Sequence, residues 1–351
     1  MTAIVGRAPA RLSLVGGGTD LPAYYERRGG AVVSFSIASY ATAEITSRTD
    51  GLELVSADAG VREFIPPGQF ARRLRPPILA QEFLVYQKAV AWHFGLELAR
   101  ISLTSEVPVG AGLASSGTVC VALVRAAATA AGEEMDRARI ADTAFRIETA
   151  LLRRGCGKQD QYAAAFGGMN LIEFFRDGSV DVTPLEVSEQ TRATLARRIL
   201  LFHNGSRRSA VGPLQEQARR SASDPDTVSA LDRLKAMAFE MREVLESGAV
   251  ELVGDLLHEA WEAKQHLNSQ VATPEITRLY TLARRAGAVG GKLAGAGQAG
   301  TLVLFCPEEH QDEVRMVMAS QGWRERRYEM DAEGVTSGRP VGVGDHDAAR
   351  R

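Results

Sequence analysis

The hydrophobic and polar positions divide the chain into a strand-rich first stretch and a helix-rich second one. Residues 3–15 alternate small, apolar and basic side chains, which predicts a strand. Residues 31–47 are rich in Val, Ile, Ser, Thr and Tyr and predict one or two strands. A weaker strand pattern over 52–65 ends at Pro66-Pro67. Residues 78–97 predict a helix and 100–105 a strand; after a glycine-containing loop, small residues as far as Ala131 predict a second helix. Residues 137–154 set Ile140, Ala144, Ile147 and Leu151 on one face, the spacing of an amphipathic helix that stops at Gly155. A shorter helix over 158–166 stops at Gly167-Gly168. Two short strands follow around Asp177-Gly178, then another over 198–203.

Past residue 190 the pattern turns polar and helical. Long helices are expected over 206–247 and 249–267, and a shorter one over 274–286. A strand over 300–306, a helix over 309–321 and a strand-like stretch over 322–330 complete the pattern. This order predicts an α+β protein of two domains, residues 1–190 and 191–332. Residues 333–351, rich in Gly, Asp and Arg, are expected to form a flexible tail.

Composition narrows the class. The chain is 45% hydrophobic and 24% charged with a net charge of −2, so a general nucleic-acid binder is not expected. Charges or glycines interrupt every long apolar stretch, so no membrane span is expected. The opening MTAIVGRAPARLSL lacks a charged lead before a long apolar core, so no signal peptide is expected either. Cys120, Cys156 and Cys306 lie far apart without a CxxC pair, which suits a reduced, cytoplasmic protein without structural zinc. The histidines form no HxxxH or HxH pair. Of 41 basic residues only Lys88, Lys158, Lys235, Lys264 and Lys292 are lysines.

Three glycine segments carry the candidate chemistry. In Pro108–Ser116, between a strand and a helix, glycines let a phosphate approach outward-pointing backbone N–H groups, and Ser115 and Ser116 add hydroxyls for phosphate or Mg²⁺. Taken alone, the same serines equally suit a helix cap. No GxxxxGK[ST] string occurs, so this is not a Walker A loop. Gly295–Gly300 matches GxGxxG, but a strand follows it rather than a helix, which rules out the dinucleotide fingerprint. Gly16–Asp20 sets glycines beside a carboxylate, an arrangement for a polyhydroxylated ligand or for a plain turn. Glu148 could hold Mg²⁺ with Ser116 or be a solvated flank. Asp160, two residues after Lys158, could orient or deprotonate a hydroxyl beside that cation, or simply suit a helix N-terminus.

In order and spacing, RAPARLSLVGGGTDLPAYY, PVGAGLASSGTVCVAL and GAVGGKLAGAGQAGTLVLF resemble the three motifs of the GHMP small-molecule kinases. The resemblance covers roughly residues 5–330, and three ordered motifs are far more specific than one. GKQDQYAAAFGGMNLIEF and residues 256–276 look most like sugar 1-kinases acting on heptose 7-phosphates. The resemblance implies an N-terminal domain like ribosomal protein S5 domain 2, a ferredoxin-like C-terminal domain, and ATP bound between them. It implies that the loop of Pro108, Gly110, Ala111, Gly112, Leu113, Ala114, Ser115 and Ser116 wraps the ATP phosphates, and that Ser116 and Glu148 bind Mg²⁺. Asp160 would accept the anomeric hydroxyl's proton, with Arg11 as its cationic partner. Gly17, Gly18, Thr19, Asp20 and Gln159 would hold the sugar, and Gly295 and Gly297 would line the site from the second domain. For a phosphate already on the sugar, Lys158, Arg207, Arg208 and Lys264 are the candidate cations, with Lys158 and one of the arginine pair preferred.

The motifs also depart from the family pattern. Ala114 stands where glycine is usual, Gly117-Thr118 where Ser and Ala are usual, and Gln298-Ala299 interrupt a run normally of glycine. The expected partner is a small sugar phosphate, with a homodimer left open. Two alternatives stay open beside the heptose 7-phosphate reading: a kinase for an unphosphorylated sugar of fucose or galactose type, and a non-catalytic sugar and ATP sensor.

Overall fold

The structure, a computed structural model, describes residues 3–76, 84–205, 211–268, 271–295, 297 and 300–338. Nine strands form a first, mostly antiparallel sheet: β1 (Ile4–Val15), β2 (Gly30–Ser47), β3 (Leu52–Ser56), β4 (Val61–Ile65), β5 (Ala99–Ser105), β6 (Met169–Phe174), β7 (Val180–Pro184), β12 (Met330–Asp331) and β13 (Thr336–Gly338). The main path runs β13-β1-β2-β5-β3-β4, with β12 and β6 on β2 and β7 on β6. A second sheet has the order β11 (Arg324–Glu325), β8 (Ile199–His203), β10 (Thr301–Phe305), β9 (Gly290–Leu293).

The helices are α1 (Pro22–Arg28), α2 (Phe70–Leu74), α3 (Val85–Phe94), α4 (Ser115–Ala130), α5 (Arg137–Arg146), α6 (Gln159–Phe166), α7 (Glu189–Arg198), α8 (Val211–Ser223), α9 (Pro225–Glu246), α10 (Leu252–Gln265), α11 (Pro274–Arg285) and α12 (Gln311–Ser320). Every residue of β1 from Ala8 to Val15 is buried, because the strand is covered on both faces. Ala8 joins a core with the small residues of α4 and with α5 and α6; Leu12 and Leu14 join another with α9 and α10. A third core, around Trp261, Tyr280 and Trp323, lies in the second half with residues of the second sheet. This is the expected two-domain α+β class.

Three expectations are corrected. The helix expected over 137–154 ends its α turns at Arg146 and continues as a π turn, Ile147–Leu151, in which Leu152 N donates to Ile147 O across five residues. The helix expected over 206–247 is interrupted where Asp224 caps Pro225, since proline has no N–H to continue α8. Beyond the expected elements, GGKL forms β9, whose glycines leave room for neighbouring backbone at α10 and β10. The flexible tail expected from 333 does not begin there. Asp331 Oδ1 accepts from the N–H groups of Glu333 and Gly334, Val335 is buried, and β13 pairs with β1. Residues 330–338 thus return to the first sheet. The rest of that expected tail lies outside the described residues.

Candidate active site

The second glycine segment is held by backbone on both sides. Arg11 N donates to Leu113 O at 3.5 Å and Thr301 N to Ala111 O at 2.9 Å. Gly112 and Gly295 meet backbone to backbone: a Cβ on Gly112 would lie 2.5 Å from Ala294 O, and one on Gly295 would lie 2.7 Å from Gly112 Cα. The loops from the two halves can close on each other only as glycines. The loop enters α4 through Ala114, whose φ of 67° is left-handed and unusual for alanine. Neither Ser115 nor Ser116 is the cap, so both hydroxyls stand at the first turn of a 16-residue helix whose leading N–H groups lack intrahelical partners.

These loops border a cavity of about 1170 Å³. Its lining includes Val61, Leu84, Tyr86, Leu103 and Val107, and also Gly17, Gly18, Asp20, Leu234 and Leu267. On the same lining sits the pair anticipated from sequence. Asp160 Oδ1 accepts from Arg11 Nε at 3.0 Å and Nη2 at 2.5 Å, while Arg11 Nη1 donates to Gly112 O at 2.8 Å. Arg11 is buried, whereas the Asp160 side chain is 27% exposed. Among the described residues Asp160 Oδ2 has no partner, so one oxygen is anchored and the other is available.

A second carboxylate lies near the loop. The π turn carries Glu148, fully buried, against the cavity wall. It accepts from Tyr86 Oη at 2.9 Å and Gln161 Nε2 at 2.5 Å, with Ser116 also bonded. Burial pushes its carboxyl above the usual range, and these hydrogen bonds partly oppose that. Gln161 Oε1 and Arg154 Nε are buried without partners, and Arg154 Nη1 donates to the same Tyr86 hydroxyl. A buried carboxylate, a serine hydroxyl and the orphaned Gln161 amide oxygen form a ligand set that suits a hydrated Mg²⁺. Among the described residues no group of three or more His, Cys, Asp or Glu forms a metal cluster.

Asp20 is buried and accepts from Gly18 N at 2.9 Å, Gln159 N at 3.2 Å and Gln159 Nε2 at 3.2 Å. Burial, then the nearby Asp160, push its carboxyl up. Lys264 Nζ donates to Leu293 O at 2.7 Å and Gly295 O at 2.5 Å, bracing the third glycine segment. Burial and then Arg11 push its ammonium down to about 7. Lys292 is buried at the cavity wall, and burial, then Lys264 and Arg11, push it well down.

Gly110, Pro108, Ser115, Ser116, Gly17, Gly18, Gln159, Gly295 and Gly297 also line the cavity. Ala111, Leu113, Thr19 and Lys158 are not among the residues that line it. Ala111 and Leu113 bury their side chains in the core and serve the loop only through backbone. Thr19 is fully buried, its hydroxyl spent on Gly16 O and Ala31 O. Lys158 turns away: its ammonium donates to Gly178 O between the rings of Tyr25 and Phe145. The cation beside Asp160 is therefore Arg11, not Lys158. Arg207 and Arg208 lie outside the described residues. Sequence reasoning missed Ser13, Tyr86, Arg154, Gln217 and Lys292 on the cavity wall, as well as its apolar lining. Only Lys292 carried a signal, as one of few lysines inside a motif.

Residues 83–168 match the GHMP kinases N terminal domain, which spans the second glycine loop, Glu148 and Asp160. Residues 241–322 match the GHMP kinases C terminal domain, which spans Lys264, Lys292 and the third glycine segment. The chain belongs to the GHMP kinases. Among relatives of this GHMP kinase is the D-glycero-α-D-manno-heptose 7-phosphate kinase of Campylobacter jejuni, 28% identical over 97% of this chain and 100% of that protein. A bifunctional fucokinase/GDP-fucose pyrophosphorylase of Arabidopsis thaliana is 27% identical over 88% of this chain and 30% of its own. The crystal structure of a D-glycero-D-manno-heptose 1-phosphate kinase from Bacteroides thetaiotaomicron shares the fold, with a TM-score of 0.78 and 23% identity over 96% of this chain and 99% of that one.

Proposed function

We propose that this chain is an ATP-dependent sugar 1-kinase that transfers the γ-phosphoryl group of ATP to the anomeric O1 of a heptose 7-phosphate. The observation that carries the reading is the Arg11–Asp160 pair, with one carboxylate oxygen anchored and the other open to a cavity bordered by phosphate-binding loops. In this reading O1 attacks the γ-phosphorus, the bond from that phosphorus to the ADP oxygen breaks, and Asp160 Oδ2 receives the O1 proton. Phosphoryl transfer of this kind relies on positioning and charge rather than covalent chemistry. Arg11 fixes Asp160 and places positive charge beside the transferring group. The α4 N-terminus and the Gly110–Ser116 loop hold the nucleotide phosphates. Ser116 and Glu148 would hold Mg²⁺, which when bound screens the phosphate charge.

The Campylobacter relative supports a heptose 7-phosphate as substrate. One observation favours a second reading, a kinase for an unphosphorylated sugar: Lys158, a preferred phosphate contact, faces away from the cavity. The test is ADP release from ATP–Mg²⁺ across manno- and altro-heptose 7-phosphates, sedoheptulose 7-phosphate, mannose, fucose and galactose. Turnover with a heptose phosphate is expected; turnover with free sugars alone selects the second reading. No turnover with any of them contradicts both.

A further inference from the structure

Around the first glycine segment the cavity lining contains polar atoms that have nothing to bind. Ser13 Oγ, Gln159 Oε1 and Gln217 Nε2 are each buried without a hydrogen-bond partner, and all three residues line the cavity. Ser13 is 6% exposed and Gln217 is 4% exposed. They surround the first glycine segment. A Cβ added to Gly17 would lie 3.5 Å from Ser13 Oγ and 3.6 Å from Gln159 Nε2, and one added to Gly18 would collide with Gln217 Nε2. The orientation of Gln159 is fixed chemically. Its Nε2 donates to the Asp20 carboxylate, an acceptor, so its Oε1 is the atom left over.

A buried polar atom without a partner is destabilising, and a folded protein seldom keeps three in one place. Here they form a complementary set: a hydroxyl that donates or accepts, an amide oxygen that accepts, and an amide nitrogen that donates. Together they match neighbouring hydroxyls of a polyol. We propose that Ser13, Gln159 and Gln217 read the hydroxyl pattern of the sugar, and that Gln217 is the specificity-determining residue contributed by the second half of the molecule. Ser13 lies on β1, Gln159 on α6 and Gln217 on α8, so the set exists only where both halves meet. This inference rests on the sugar-kinase reading, but it assigns Ser13 and Gln217 roles that the kinase motifs, which already imply Gln159, do not.

The test uses Ser13→Ala and Gln217→Leu in the full chain, with three readouts. Thermal unfolding of the ligand-free protein comes first. Both substitutions remove an unsatisfied atom, so Tm is expected to stay unchanged or rise, whereas a structural polar contact would lower it. Calorimetric binding of the heptose phosphates and free sugars comes second. The best wild-type ligand is expected to bind at least about tenfold more weakly to each variant, and discrimination against its epimers to shrink. The KM for ATP, measured third, is expected to change less than about twofold.

A lowered Tm, unchanged sugar affinity, or an equal rise in KM for ATP would each overturn the proposal. Wild-type turnover separates this inference from the reading beneath it. If sugars bind, the variants weaken that binding and no ADP forms, the hydroxyl-reading set stands and the kinase reading falls. If the wild type binds none of the sugars, both fall.

Discussion

Asp160 is held by one oxygen and open at the other, and in the proposed reading that asymmetry suits it to act as a base rather than as a structural anion. Asp160→Asn is expected to lower kcat by roughly 10²–10⁴-fold while sugar binding persists. Arg11→Met in the same chain should add little to that loss, because the two residues act as one unit. Steady-state kinetics of both singles and the double checks this. Lys264 gives a prediction about pH. Burial brings its folded pKa down to about 7, from an ordinary value of 10.5. Between those values the unfolded chain binds more protons than the native one, so stability rises with pH across that window. Below about 7 the burial penalty on the ammonium is fully present. Lys264→Met should flatten this slope, read as urea midpoints at several pH values. A phosphorylated ligand should raise the Lys264 pKa and draw a proton from solution, visible in calorimetry with buffers of different ionisation enthalpy.

At the scale of elements, the departures from the family motifs have local reasons. A Cβ on Gly117 would lie 2.7 Å from Asp160 Cβ, so the first turn of α4 meets α6 closely only because residue 117 is glycine. Gly117→Ala should displace Asp160 and cost about tenfold to a hundredfold in kcat with helix content unchanged. Gly212→Ala in α8, where an added Cβ meets nothing within 4 Å, should leave activity alone. The strands β1, β2, β5 and β10, the helix α4, and the Asp160, Glu148 and glycine-loop positions were legible because periodicity and local motif coincide there. The π turn was not, since Ile140, Ala144, Ile147 and Leu151 keep an apolar stripe whether the last turn is α or π. Lys158 was misjudged because sequence proximity to Asp160 says nothing of side-chain direction. Ser13 and Gln217 were hidden because their significance is the absence of partners, which only packing reveals.

For the molecule as a whole, function depends on the contact between two halves. Gly112 against Gly295, Thr301 on Ala111, and Gln217 against Gly18 each join distant parts of the chain around one cavity. The return of β12 and β13 to the first sheet ties the chain's far end to its beginning. Among the described residues no helix is long and apolar enough to cross a membrane. In the proposed reaction this cavity joins ATP's terminal phosphoryl group to the anomeric oxygen of a sugar already phosphorylated elsewhere. Phosphorus NMR of the product made from ATP–Mg²⁺ and a heptose 7-phosphate tests it most directly, with the Asp160→Asn protein run beside the wild type. A new resonance coupled to the anomeric proton is expected, with the 7-phosphate signal retained, and its loss in the variant. A phosphate on any other hydroxyl, or full product formation by Asp160→Asn, would contradict it.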